Sequence, residues 1–208
     1  MIKYNIELKA IKIGLLGDTP VGKSCILNSF IRGNYEEFQN TNEGGDRAGK
    51  TLEIENGKKI NVIVFDVNGQ ERFHSIARGQ IRNFHGIILI FDLTIRKTFE
   101  NIDSWMKTIE DEITKPNVVL FGNKADDTDR REVTFEEAEN LAQKYDLKYF
   151  ETSAKTNMNI NEGFNYIVNI CYNKIKENYE NNIKLKNKKE DKNGCVGKEK
   201  KNKNMKGK

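Results

Sequence analysis

The stretch Gly17-Asp18-Thr19-Pro20-Val21-Gly22-Lys23-Ser24 constrains this chain more than any other. It has the form G-x-x-x-x-G-K-S, and its flanks give the motif meaning. Ahead of it, Ile11-Lys12-Ile13-Gly14-Leu15-Leu16 reads as a buried strand; behind it, Ile26, Leu27, Phe30 and Ile31 fall on one helical face. A glycine-bearing turn between strand and helix presents backbone N–H groups, and the positive end of the helix dipole, to a phosphate. Lys23 adds a mobile positive charge, and the Ser24 hydroxyl is a hard oxygen suited to Mg²⁺. A chance match to so short a pattern is the competing explanation, and the strand and helix on either side argue against it.

The order of the other segments predicts the architecture. The first helix stops near Arg32-Gly33, where glycine can take the left-handed cap. Residues 34–50, with Glu43-Gly44-Gly45-Asp46 among them, are too polar and glycine-rich for a core element and predict a long loop. Residues 51–55 and 59–65 around Asn56-Gly57 predict a β-hairpin whose second strand delivers Asp66 at its C-terminal end. Residues 86–91 form an apolar run of the kind covered on both faces. Phe99, Ile102, Trp105, Met106, Ile109 and Ile113 mark one amphipathic helix ending before Pro116.

Residues 117–121 are the next buried strand, leading into Gly122-Asn123-Lys124-Ala125-Asp126. Thr134 and Glu137 predict a capping box for a helix whose inner face holds Phe135, Ala138, Leu141, Ala142 and Tyr145. The short strand 148–150 runs into Glu151-Thr152-Ser153-Ala154-Lys155, and a last helix buries Phe164, Ile167, Cys171 and Ile175. This alternation predicts an α/β fold: a mostly parallel six-stranded sheet with one antiparallel strand and helices on both faces. Such sheets bind ligands outside the carboxyl ends of their strands. Residues 17–24, Asp66, 123–126 and 153–155 all follow strand ends, so they converge on one crevice.

Charge separates the chain into two parts. The whole 208 residues carry +4, yet residues 174–208 hold thirteen Lys against five acids, which leaves the rest at −4. The basic character belongs to the tail, and the folded part gains no case for nucleic-acid binding. Cys25, Cys171 and Cys195 have no metal-ligand spacing; the first two sit in expected helices, where a buried reduced thiol is the ordinary outcome. The N-terminus has no secretory pattern, and the longest apolar run is far too short to span a bilayer, so a cytoplasmic location is expected.

These residues resemble the small Ras-like GTPases, and within them the Rab branch. Besides the loop, the resemblance rests on Asp66-x-x-Gly69-Gln70-Glu71-Arg72-Phe73, Asn123-Lys124-x-Asp126 and Thr152-Ser153-Ala154-Lys155, in order and spacing, and covers about residues 8–178. Gln70 to Phe73 and the segment 82–94 carry the likeness to Rab proteins. The resemblance implies a P-loop NTPase G domain over 1–178, with five helices on the two faces of the sheet; composition predicts a disordered Lys/Asn-rich tail over 179–208. The resemblance also implies GTP and GDP as ligands, with Mg²⁺. The phosphates fall to Thr19, Pro20, Val21, Gly22, Lys23, Ser24 and Cys25, and the Gly69 N–H senses the γ-phosphate. Gln70 orients the attacking water, Lys23 assists catalysis, and Ser24 and Asp66 hold the metal.

For the base, the resemblance implies that Asp126 accepts from the ring N1–H and exocyclic amine of guanine, donors that adenine does not present in that arrangement. Asn123 supports base and loop, Lys124 packs over the base, Lys155 flanks it, Ser153 belongs to the same loop, and the Ala154 N–H meets guanine O6. Tyr35 matches the family's aromatic residue at the base edge, a solvent-exposed aromatic being the alternative. The Asn-Lys-x-Asp signature disfavours an ATP-using enzyme.

Departures from the pattern matter as much. Eighteen residues after Ser24 stands Asn42, where the family places its Mg²⁺-binding threonine. Either Thr41 takes the role shifted by one, or Asn42 ligates through its amide oxygen, or the loop does not close on the γ-phosphate. The apolar surface that Rab effectors read is replaced by Gly45, Arg47, Ala48 and Gly49, Asn68 stands in place of an alanine, and Gln39 in place of a tyrosine that lids the nucleotide. Pro20 lacks the N–H that relatives aim at the β–γ bridging oxygen, and Thr19 beside it crowds the water. No arginine is evidently placed to act in cis. Slow hydrolysis is therefore expected without an activating partner, together with an exchange factor and an unusual effector set. A binding scaffold with little hydrolysis or switching is the second reading.

The tail ends Asn204-Met205-Lys206-Gly207-Lys208, and Cys195 lies thirteen residues from the end, the wrong place for terminal prenylation. From about Glu177 onward the composition predicts disorder or a frayed helical extension. Its lysines suit peripheral contact with an anionic membrane surface, with a merely solvated tail as the alternative.

Overall fold

Wholly apolar strands between amphipathic helices can hide both sheet faces only by sandwiching the sheet between helices. The computed structural model describes residues 9–32, 47–54, 57–67 and 79–199. In chain order these form β1 (Ile11–Leu16), α1 (Lys23–Arg32), β2 (Arg47–Ile54), β3 (Lys58–Asp66) and β4 (Gly86–Asp92). There follow α2 (Arg96–Glu100), α3 (Ile102–Glu112), β5 (Val118–Asn123), α4 (Phe135–Lys144), β6 (Lys148–Glu151) and α5 (Ile160–Glu199). The strands make one sheet in the order β2-β3-β1-β4-β5-β6, in which β2 runs antiparallel to β3 and every other pair is parallel. This is the expected α/β architecture, with five helices among the described residues.

Among the described residues, 9–171 belong to one compact unit and 172–199 to a second. In the first unit every residue of β4 is buried. Its Ile87, Leu89 and Phe91 pack in one cluster with Trp105, Met106 and Ile109 of α3 and Ala138 and Ala142 of α4. Elsewhere in the core Phe30 of α1 stacks on Phe164 of α5 with centroids 3.8 Å apart, and Phe121 of β5 meets Phe164 edge-on. Thr134 and Glu137 make the expected capping box: Glu137 N donates to Thr134 Oγ1 at 3.2 Å and Thr134 N to Glu137 Oε2 at 2.9 Å. In the second unit the helix backbone continues through Glu199, and Ile175 is half-buried rather than buried.

Four local expectations are corrected. Arg47 to Lys50 belong to β2 and not to a loop, because the edge of β3 needs a partner and Ala48 and Gly49 pair with Val64 and Ile63. Lys50 tolerates burial there by donating to Phe30 O at 2.9 Å with its ammonium over the Phe30 ring. The expected single helix over 99–113 is broken at Asn101, which ends α2 and begins α3. Phe135, at the first position of α4, is 55% exposed, with its ring against that of Tyr149. Cys25 is exposed rather than buried, since it lies in the first turn of α1 on the face opposite Ile26 and Leu27.

Candidate nucleotide site

β1 ends at Leu16, and the chain turns over the end of the sheet before entering α1. Both glycines of the motif are required there. Gly17 has φ +138°, and a Cβ on it would lie 2.1 Å from Ile90 O; Gly22 has φ +94°, and a Cβ would lie 2.5 Å from Asn123 Nδ2. Ile26 N donates to Gly22 O at 2.9 Å as the helix begins. The N–H groups of Lys23, Ser24 and Cys25 therefore precede the helical ladder and face an incoming anion. Thr19 and Pro20 are exposed at the lip of the loop, whereas Val21 is buried and turns back with its N–H toward Asp18 O at 3.4 Å.

Lys23 is only 7% exposed, and its ammonium donates to Gly17 O at 3.0 Å and Asp18 O at 2.8 Å. Burial lowers its pKa, partly offset by the charges of Asp66 and Asp18. The Ser24 hydroxyl donates to Asp66 Oδ2. A hydroxyl and a carboxylate held together at the loop are the hard oxygen donors that Mg²⁺ takes, and this ion is normally completed by water and ligand phosphates. Among the described residues no group of three His, Cys, Asp or Glu side chains is placed to hold a metal ion.

Across the crevice, β5 ends in Asn123, 2% exposed and bonded to both sides of the site. Its Nδ2 donates to Val21 O at 2.9 Å, and its Oδ1 accepts from Ala154 N at 3.2 Å. The Ala154 N–H assigned to guanine O6 is thus held by Asn123, and an O6 contact would share or replace that bond. Asp126 Oδ1 accepts from Ser153 Oγ at 2.6 Å and Oδ2 lies 3.6 Å from Lys155 Nζ, so Asp126 is held below the usual carboxylate pKa, chiefly by the Ser153 hydroxyl. Ser153, itself fully buried, is fixed by paired backbone bonds with Met158. The β6–α5 loop is tied to α1 by Ser29 Oγ donating to Asn157 Oδ1 at 3.0 Å. Lys124 takes φ +66°, and its ammonium lies 2.5 Å from Asp92 Oδ2.

The structure therefore brings together, at one sheet edge, the loop residues, Asp66, Asn123, Lys124, Asp126, Ser153, Ala154 and Lys155. Tyr35, Thr41, Asn42, Gly69 and Gln70, with Gln39 and Asn68, lie outside the described residues. Two features of the site escape sequence reasoning. Asp92, fully buried at the end of β4, orients Lys124 while its Oδ1 accepts from Thr94 N and Oγ1. Its place at the C-terminal end of an apolar strand was a usable signal. The second feature is the Asp18 carboxylate, whose partners come from α3 and the residue before it.

A glycine loop on β1 facing an Asn-Lys-x-Asp turn on β5, over a sheet with this strand order, defines a P-loop domain of the G-domain class. A family model described as the Ras family matches residues 12–173. The chain is 42% identical over 155 residues to Ras-related protein Rab-13 of Mesocricetus auratus, covering 74% of this chain and 76% of the relative. It is 40% identical over 156 residues to GTP-binding protein ypt2 of Schizosaccharomyces pombe (74% and 77%), and 38% identical over 169 residues to Ras-related protein Rab-39A of Homo sapiens (78% of each). The chain belongs to the Ras family of small GTPases, as a divergent Rab-like member.

Proposed function

We propose that this chain is a guanine-nucleotide switch of membrane traffic that binds GTP and GDP with Mg²⁺ and hydrolyses GTP slowly. The observation that carries the reading is Asn123, whose amide joins Val21 of the phosphate loop to Ala154 of the base loop. One side chain thereby fixes the distance between a phosphate cradle and a carboxylate suited to guanine. Lys23 and the amides of residues 21–25 hold the β- and γ-phosphates, and Asp126 selects the base by accepting from its two donors. Asn123, Lys124, Ala154 and Lys155 surround the base, with Tyr35 at its edge. Ser24 and Asp66 hold Mg²⁺, joined by Thr41 or Asn42, and the ion supplies positive charge to the phosphate oxygens when bound. Gly69 and Gln70 serve the γ-phosphate and the attacking water.

Pro20 supports the expectation of slow chemistry, because it offers no N–H where charge develops on the bridging oxygen. The same residue favours the second reading, a scaffold that holds nucleotide with little turnover. An activating partner that supplies positive charge would raise the rate by roughly 10³–10⁵. The G domain is assigned to 1–178, and the basic segment 179–208 is assigned to an anionic membrane surface, which liposome co-sedimentation with and without anionic lipid tests. Among the described residues no helix is long and apolar enough to cross a membrane. Arg47, at the start of β2, is exposed, so the surface that effectors would meet is a charged strand end, not an apolar loop.

Single-turnover GTP hydrolysis and fluorescent-nucleotide release on the purified chain test the reading, with Gln70→Leu as control. A slow rate abolished by Gln70→Leu supports the switch. A measurable rate unchanged by it refutes the assigned mechanism, and no hydrolysis with tight binding favours the scaffold.

A further inference from the structure

The phosphate loop contains a carboxylate that the reaction does not use. Asp18 follows Gly17, is 8% exposed, and lies in a loop whose purpose is to receive anions. A negative charge there opposes phosphate binding unless it is held for another reason. Both of its oxygens are bonded from the same direction: Asn101 Nδ2 donates to Oδ2 at 2.6 Å and Trp105 Nε1 donates to Oδ1 at 2.8 Å. Neither donor is charged; they fix the carboxylate in place, and the cation its charge acts on is the Lys23 ammonium.

The main chain of the same residue faces the other way. Asp18 O accepts from Lys23 Nζ at 2.8 Å and from Val21 N at 3.4 Å. Asp18 is thus a link: its carboxylate is anchored to the helix pair, and its carbonyl anchors the ammonium that meets the phosphates. The break between α2 and α3 has a reason in this frame, since Asn101 at the junction sends its side chain to the loop while Trp105, 3% exposed, stands one turn further on.

We propose that Asn101 and Trp105 are positioning residues, acting through Asp18, that hold the loop open to the β-phosphate and set Lys23 in reach of it. This rests on the reading of residues 17–24 as the phosphate cradle. Its consequence is that α3 and nucleotide affinity are coupled. Whatever tilts α3 relative to β1 moves the loop directly.

The test is a double-mutant cycle on the full chain with Trp105→Phe, which keeps most of the ring's packing and removes its N–H, and Asp18→Ala. Affinity for GDP and for GMP is read by competition against a fluorescent guanine nucleotide. Each single variant is expected to weaken GDP about tenfold, in line with loss of a hydrogen bond to a charged group, while GMP changes by less than about twofold. The double variant is expected to be no weaker than Asp18→Ala alone. Trp105 is the chain's single tryptophan, so its emission reports the contact directly and is expected to shift in Asp18→Ala.

Equal losses for GDP and GMP, or additive losses in the double variant, would mean that the residues serve general stability, and would overturn the proposal. So would unchanged GDP affinity in Trp105→Phe. A wild-type chain that binds no GDP at all refutes the guanine-nucleotide reading itself, and the proposal with it.

Discussion

At the end of the crevice proposed for the base, Asp126 and Asn123 are held by neighbouring groups and the Ala154 N–H is taken up by Asn123; at the end proposed for the phosphates, the lysine and the hydroxyl rest on the chain's own oxygens. Asp126 is ionised and aimed by Ser153, Asn123 bridges both loops, and Lys124 is drawn toward Asp92. By contrast, Lys23 rests on Gly17 O and Asp18 O, and the Ser24 hydroxyl rests on Asp66. On the proposed reading a base would meet Asp126 already held by Ser153, and would share or replace the Ala154–Asn123 bond. A phosphate, on the same reading, would draw Lys23 away from two carbonyls, and a metal ion would engage the Ser24 and Asp66 oxygens while the hydroxyl keeps its proton. Base selection would then draw on groups largely held in place, and phosphate and metal binding would proceed by exchange of partners.

The two ends should therefore respond differently to substitution. Lys23→Ala removes a buried cation that the phosphates would pair with, and titration calorimetry is expected to show GDP affinity falling about 10²–10⁴-fold. Asp126→Ala acts on the base end: GDP affinity should fall about 10²-fold while ADP, measured by competition, stays where it was. Equal losses for both nucleotides would break the contrast between the ends. Pro20→Gly restores an N–H at the loop and is expected to speed single-turnover hydrolysis about ten- to a hundredfold, leaving base selectivity alone. An unchanged rate would show that the missing donor is unimportant or replaced.

The smallest effect concerns pH. The Asp126 pKa is lowered in the folded chain, so its ionised, base-accepting form persists as pH falls from 7 and is lost only below the ordinary carboxylate range. Ser153→Ala removes the main cause of that lowering. The acid limb of GDP affinity should then move to higher pH, which a titration from pH 7 to 3 would resolve.

The loop was legible because its chemistry lies in the backbone: Gly17 and Gly22 are demanded by φ and by close neighbours, and no other residue type serves. The strands were legible from apolar runs, and the start of α4 from the Thr134 capping box. Harder to read were features whose cause lies far along the chain. Asp18 meets Asn101 and Trp105 across 83 and 87 positions, and no local pattern marks such a contact. Arg47 to Lys50 look like loop when taken alone, and they become strand because β3 lies alongside. Cys25 and Phe135 were misjudged because helical periodicity says little about a first turn, where the chain is only entering its face.

The proposed guanine selection rests on Asp126 and the groups that hold it. Its most direct test is competition for the purified chain between GDP and ADP against a fluorescent guanine nucleotide. GDP is expected to displace the probe with at least about 10³-fold greater affinity than ADP, as a site built on buried hydrogen bonds requires. ADP competing within about tenfold of GDP would contradict the account.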